Sequence, residues 1–166
     1  MKTLVCGGRD FGDAGRVFRV LDAIRAERGI SCIIHGDASG ADRHSERWAK
    51  ERQLPYRGYP APWRNMGRAA GTWRNAEMLR QEHHPQHNPD CDYCHGAGEY
   101  QAHLFSCQSE HCALAAGYDD CAGRMEPCDC VLPGTAISLV VAFPGGVGTA
   151  HMVKLAKTAG IEVVNG

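Results

Sequence analysis

Long apolar runs are missing from this chain. No stretch approaches the ~20 consecutive apolar residues that cross a bilayer, which excludes a membrane helix. The opening segment offers three apolar residues (Leu4, Val5, Cys6) before Gly7, against the ~7–15 of a signal-peptide core. The expected location is therefore the cytoplasm. Charge imbalance is missing too, since 18 Lys and Arg face 19 Asp and Glu for a formal net charge of -1. The distribution of that charge is uneven. From His84 to Thr135 there is one basic residue, Arg124, against eight acidic ones, and only four of 52 residues are Leu, Ile or Val. Ordering a residue costs ~1–2 kcal/mol of backbone entropy, so this stretch cannot fold on an apolar core of its own. Outside it, 17 basic and 11 acidic residues leave +6. A basic body favours an anionic ligand, whereas the acidic middle argues against a DNA-binding finger.

What is present suits one domain with an insertion, because 166 residues correspond to about one folding unit at ~150 residues each. Segment 2–6 predicts a buried strand ending at Gly7-Gly8-Arg9-Asp10. A helix follows, with Val17, Val20, Leu21 and Ile24 on one face, Asp13 as cap and Gly29 after its last turn. Residues 31–34 predict a second strand and 55–59 a short third one. The Pro- and Trp-bearing segment from Tyr59 to Arg64 is expected to be a loop, and residues 69–82 a helix. Ile137 to Phe143 is the strongest strand, reopening as a helix to Ala159, and 161–164 closes the sheet. Strands that are apolar throughout and alternate with helices predict an α/β fold: a Rossmann-like parallel sheet flanked by helices. The expected domains are 1–83 with 136–166 for the sheet, and 84–135 as the insertion.

Every strand-to-helix turn of such a sheet lies at its carboxyl edge, where ligands bind. Three of these turns are rich in glycine: Gly7-Gly8-Arg9-Asp10, His35-Gly36-Asp37-Ala38-Ser39-Gly40-Ala41-Asp42, and Pro144-Gly145-Gly146-Val147-Gly148-Thr149. The second and third open helices, whose free amides and dipole suit a phosphate. Each glycine also has a plain reading as a tight turn. No Gly-Lys-Ser/Thr follows, and the dinucleotide spacing is incomplete, which disfavours P-loop ATPase and NAD-dehydrogenase chemistry.

Four segments carry a resemblance: Cys6-Gly-Gly-Arg-Asp-Phe11, His35 to Asp42, Arg68-Ala-Ala-Gly-Thr-Trp-Arg-Asn-Ala-Glu-Met-Leu79, and Val140-Val-Ala-Phe-Pro-Gly-Gly-Val-Gly-Thr-Ala150. Together they resemble the YspA/YpsA-related branch of the SLOG superfamily, Rossmann-like domains related to the LOG phosphoribohydrolases and to the DNA-processing protein DprA. The resemblance implies a nucleotide or nucleotide-derived ligand, with phosphate at Gly145, Gly146, Gly148 and Thr149, and Met152 at the position of the LOG glutamate favours a sensor or sequestering protein. The alternative the resemblance implies is cleavage of a nucleotide's N-glycosidic bond. Arg9 and Arg74 would balance phosphate charge. Asp42 would accept from ribose hydroxyls or cap its own helix, and Asn75 faces the same choice between ligand and cap. Where LOG enzymes carry Glu, this chain has Met152, so His151 and Asp42 stand as catalytic candidates, with Asp10 and Asp37 as other acids. Trp63 and Trp73 either stack on a base or pack in the core. Family analogy suggests a homodimer, with no nucleic-acid partner expected.

The insertion holds seven of the nine Cys. Cys91-Asp-Tyr-Cys94-His-Gly-Ala-Gly98 is similar to one repeat of the DnaJ zinc domain and offers half of a tetrahedral site. Cys107, His111, Cys112, Cys121, Cys128 and Cys130 complete a set sufficient for one or two zinc ions. An iron-sulfur cluster, a redox dithiol and reduced spare cysteines are the alternatives. Metal would supply the folding free energy that apolar residues cannot.

Overall fold

The computed structural model describes residues 1–83, 99–101, 125–127 and 136–166. By internal contacts the chain divides into two compact units, Met1–His84 with Gly134–Gly166, and Pro85–Pro133. The first unit runs β1 (Lys2–Cys6), α1 (Ala14–Arg28), β2 (Cys32–His35), α2 (Ala41–Glu51), β3 (Tyr56–Gly58), α3 (Trp63–Met66), a 3₁₀ turn (Gly67–Ala69) and α4 (Ala70–Glu82). After the second unit it resumes with β6 (Ile137–Ala142), α5 (Val147–Thr158) and β7 (Glu162–Asn165). In the second unit β4 (Glu99–Gln101) and β5 (Met125–Pro127) pair antiparallel.

All five strands of the first unit are parallel, in the order β3-β2-β1-β6-β7. Side chains of a strand alternate between faces, and here both faces are apolar. Val5, Ile33, Leu139 and Val141 pack with Val17, Leu21, Ile24 and Trp48 of α1 and α2. Leu4, Ile34, Val140 and Ala142 pack with Met78, Met152 and Ala156 of α4 and α5. Each fully buried aliphatic side chain contributes about 1.5–3 kcal/mol, so these two layers fix which helix covers which face. The α/β sandwich expected from the strand pattern is thus the fold of this unit.

Local signals account for most of the element ends. Asp13 caps α1 by accepting from the Arg16 amide at 2.8 Å, and Gly29 leaves the helix at φ 72°. The segment expected to be a loop contains α3, which starts directly after Pro62. A proline just before the first turn has no N–H for the helix to lose, so Pro62 opens this short helix rather than preventing one. The carboxylate of Asp22 on α1 accepts from Trp48 Nε1 at 3.0 Å and from Arg52 Nε at 2.6 Å, locking α1 to α2. Glu82, 1% exposed, accepts from Lys2, Arg57 and Tyr59, which ties the end of α4 to β1 and the β3 region.

Candidate functional site

The chain leaves β1 for β2 on one side of the sheet and β6 for β7 on the other, so strand order reverses between β1 and β6. Adjacent loops diverge there and leave a crevice at the carboxyl edge. A recess of about 720 Å³ occupies it, lined by all three glycine turns and by α3 and α4. The turns hold one another in place. Gly8 N–H donates to the Pro144 carbonyl at 2.9 Å, and the Gly8 carbonyl accepts from Ala41 N–H at 3.4 Å.

The glycines divide into two kinds. A Cβ on Gly7 would lie 2.5 Å from that of Ala41, one on Gly36 would run into the Arg74 guanidinium, and one on Gly145 would strike Thr149 Oγ1. Gly40 has φ +73° and faces the Gly8 carbonyl. These four are required by packing. Gly146 and Gly148 have no atom within 4 Å of a built Cβ, so the protein itself does not require glycine there. Gly146 is the N-cap of α5 and no side chain caps that helix. The first amides of the helix therefore meet the recess with no capping side chain, a charge environment suited to an anion.

On the opposite wall stands Arg74. Its Nη1 donates to the Tyr59 carbonyl at 3.1 Å and its Nε to Asn75 Oδ1 at 3.0 Å. Those bonds hold the guanidinium flat against Gly36, whose missing side chain makes the space. Asp42, 4% exposed, accepts from Ala38 N–H at 3.1 Å, and it lines the recess floor. Burial pushes its carboxyl up to about 6, against the opposing pull of the Ala38 bond and the Arg74 charge. Cys6 also lines the recess, its thiol pushed up to about 12 by burial and by the Asp42 charge, so it remains protonated and unreactive at neutral pH. The Arg9 guanidinium lies 4.8 Å from the centre of the Trp63 ring, a cation–π contact at the mouth.

Of the residues singled out in the sequence, Gly7, Gly8, Arg9, Asp10, Gly36, Asp42, Arg74, Asn75, Pro144, Gly145, Gly146, Gly148 and Thr149 line this recess. Asp37 and Ser39 line a smaller hollow of about 350 Å³, which shares Arg9, Gly36, Ala38, Trp63 and Arg74 with the larger one. Gly40 and His35 are on the lining of neither. His151 is not on the lining either: it is half-buried, its Nδ1 3.4 Å from Asn75 Nδ2, and the same amide donates to the Gly148 carbonyl at 3.0 Å. Met152 is 1% exposed within the apolar layer beneath α5. Trp63 lines the recess; Trp73 does not. Arg68 and Thr72 line it too; they lie in the 68–79 segment that carried the resemblance but were given no role there. The eight Cys and His expected to bind zinc lie outside the described residues.

One further group has metal-like spacing: His35, Asp37 and Glu46 bring one ligand atom each within 4.8 Å of one another. Its bonding suits a proton better than a cation. His35 Nδ1 accepts from Asp37 N–H at 3.1 Å, which places the ring proton on Nε2, the atom facing Glu46 at 3.9 Å. A metal on Nε2 would force that proton onto Nδ1, against the amide. Both carboxylates already have cations, Arg43 at 3.0 Å from Asp37 and at 2.6 Å from Glu46, with Lys50 at 2.7 Å from Glu46.

No curated protein and no solved structure matches the chain. A family model does match, over residues 1–66, the stretch that builds β1 to β3 and supplies two of the three glycine turns. Residues 1–66 of the chain match the model of YAcAr, the YspA, cpYpsA-related SLOG family.

Proposed function

We propose that the recess binds a nucleotide or nucleotide-derived small molecule, with a phosphate on the amides of Gly146 to Thr149, and that the protein acts as a sensor or sequestering protein. The observation that carries this reading is the pairing of two open glycines at an uncapped helix start with Arg9, Arg68 and Arg74 around one recess. Asp42 suits sugar hydroxyls, since its buried carboxylate has acceptor capacity left beyond the Ala38 amide. Trp63 offers an aromatic face for a base. Binding is favoured over N-glycosidic cleavage because the residue at the LOG glutamate position, Met152, is in the core, and His151 is off the lining. Of the acids the sequence offered, Asp42 and Asp10 meet the recess, and Asp42 is the buried one. For the insertion we retain one or two zinc ions on Cys91, Cys94, Cys107, His111, Cys112, Cys121, Cys128 and Cys130, on the strength of their spacing and the shortage of aliphatic residues.

The test is Gly146→Val. A Cβ there meets no protein atom within 4 Å, so the fold should stand while the phosphate position is filled. AMP and GMP, titrated calorimetrically, should bind the wild type and not the variant, with matching urea transitions for the two proteins. Equal affinity in both would place the ligand elsewhere.

A further inference from the structure

The basic side chains of the sheet unit are not treated alike. Arg28, Arg43, Arg47, Arg52, Arg57 and Arg80 each lie within 4.0 Å of an Asp or Glu carboxylate. Arg16, Arg19, Arg25 and Arg64 have no such partner among the described residues, and neither do Arg9, Arg68 and Arg74, but only these last three line the recess together. Arg74 is the best compensated of them, through two carbonyl oxygens and the charge of Asp42 beneath it. Arg9 rests on the Trp63 ring, and its positive charge works against that of Arg74. Asp10 shares the lining but is exposed and makes no ion pair with either neighbouring arginine among the described residues. Like charges gathered in one concave site raise its potential and favour a multiply charged anion.

Two separate anion positions result. The first is the N-terminus of α5, whose amides and dipole suit one phosphoryl group. The second is the mouth, where Arg9 and Arg68 are both exposed and reach the same recess from different elements, the turn after β1 and the 3₁₀ turn before α4. A single phosphate at the helix leaves the mouth arginines uncompensated. We propose that the ligand of this recess carries two linked phosphoryl groups, one on the α5 amides and the other between the guanidiniums of Arg9 and Arg68. This rests on the reading of the recess as a nucleotide site and narrows it to the nucleoside diphosphate class. Guanidinium is suited to the second position because its planar fork donates two parallel bonds to a phosphate.

Titration of the full chain with inorganic phosphate, pyrophosphate, AMP and ADP tests it. Pyrophosphate should bind at least tenfold more tightly than phosphate, and ADP at least tenfold more tightly than AMP. Arg68→Gln, a change at an exposed position, should lower ADP and pyrophosphate affinity about tenfold and AMP and phosphate affinity by a clearly smaller factor. Arg9→Lys keeps the charge but loses the fork, and should weaken ADP more than AMP. Equal affinity for the mono- and diphosphate members of each pair overturns the proposal and leaves the nucleotide reading standing. Uniform weakening of all four probes in Arg68→Gln also overturns it, since that is the mark of general attraction. No binding of any probe to the wild type overturns both.

Discussion

Replacing Asp42 by Asn should reverse its effect on stability between acid and neutral pH. Asp42 titrates near 6 in the folded protein because burial outweighs the bonds from Ala38 and Gly36 and the charge of Arg74, whereas its ordinary value is 3.8. The folded state thus binds a proton more readily than the unfolded state between those two values, and stability falls as pH rises across the window. About two pKa units at 1.36 kcal/mol each make the ionised carboxylate cost on the order of 3 kcal/mol above pH 6. Asn removes that cost. It keeps one acceptor for the Ala38 amide but turns an NH₂ toward the second amide, a loss of about 1 kcal/mol. The net expectation is a gain of about 2 kcal/mol at pH 7.5, or roughly 4–8 °C in Tm for a chain of this size, and a loss of about 1 kcal/mol near pH 4. Differential scanning calorimetry of both proteins from pH 4 to 8 measures the difference directly. A difference that stays constant across that range would show that Asp42 titrates at its ordinary value and that its burial carries no charge penalty.

Three other outcomes are expected. Glu82→Ala strands the largely buried Lys2 ammonium beside a buried space and should cost about 3–5 kcal/mol in urea unfolding. Burial pushes the Glu82 carboxyl up, but bonds from Lys2, Tyr59 and Arg57 outweigh it and hold it below the usual range. The stability this carboxylate contributes is present above the ordinary glutamate pKa and is lost as pH falls through the lowered one, so the wild type should approach the variant in acid. Met152→Glu should lower stability by several kcal/mol and produce no base release from AMP, because it puts a carboxylate into the apolar layer beneath α5. Elemental analysis of protein purified under reducing conditions should find one or two zinc per chain, and a metal-free preparation with an ordered insertion would reject the zinc assignment.

Element order and the carboxyl-edge turns were legible in the sequence because they depend on local signals: apolar runs, Asp13, and the glycines after three strands. What each glycine is for was not legible. Gly36 is needed because of Arg74, and Gly145 because of Thr149 and the Gly7-Gly8 turn, partners set only when the sheet assembles. Arg68 opens the 68–79 segment, yet nothing in that segment marked it as facing a ligand, because its place on the recess is set by the 3₁₀ turn that precedes α4. Position 152 shows the same limit. One residue from His151 the helix turns its next side chain by ~100°, into the core, so sequence neighbours with similar apparent prospects meet different surroundings.

The closure at the base of the insertion has an engineering consequence. His83, the last residue before the excursion, has its Nδ1 3.2 Å from the carbonyl of Ile137, at the start of β6. Glu82 beside it is anchored to β1 and the β3 region. The sheet unit thus holds the two ends of the excursion side by side by its own contacts, and loop-closure entropy grows only as the logarithm of loop length. The junction is therefore a ready splice point. A version of the protein in which a few Gly and Ser residues join 83 to 136 should keep the five-stranded sheet, and a foreign domain with adjacent termini should be accepted there in exchange for the native one.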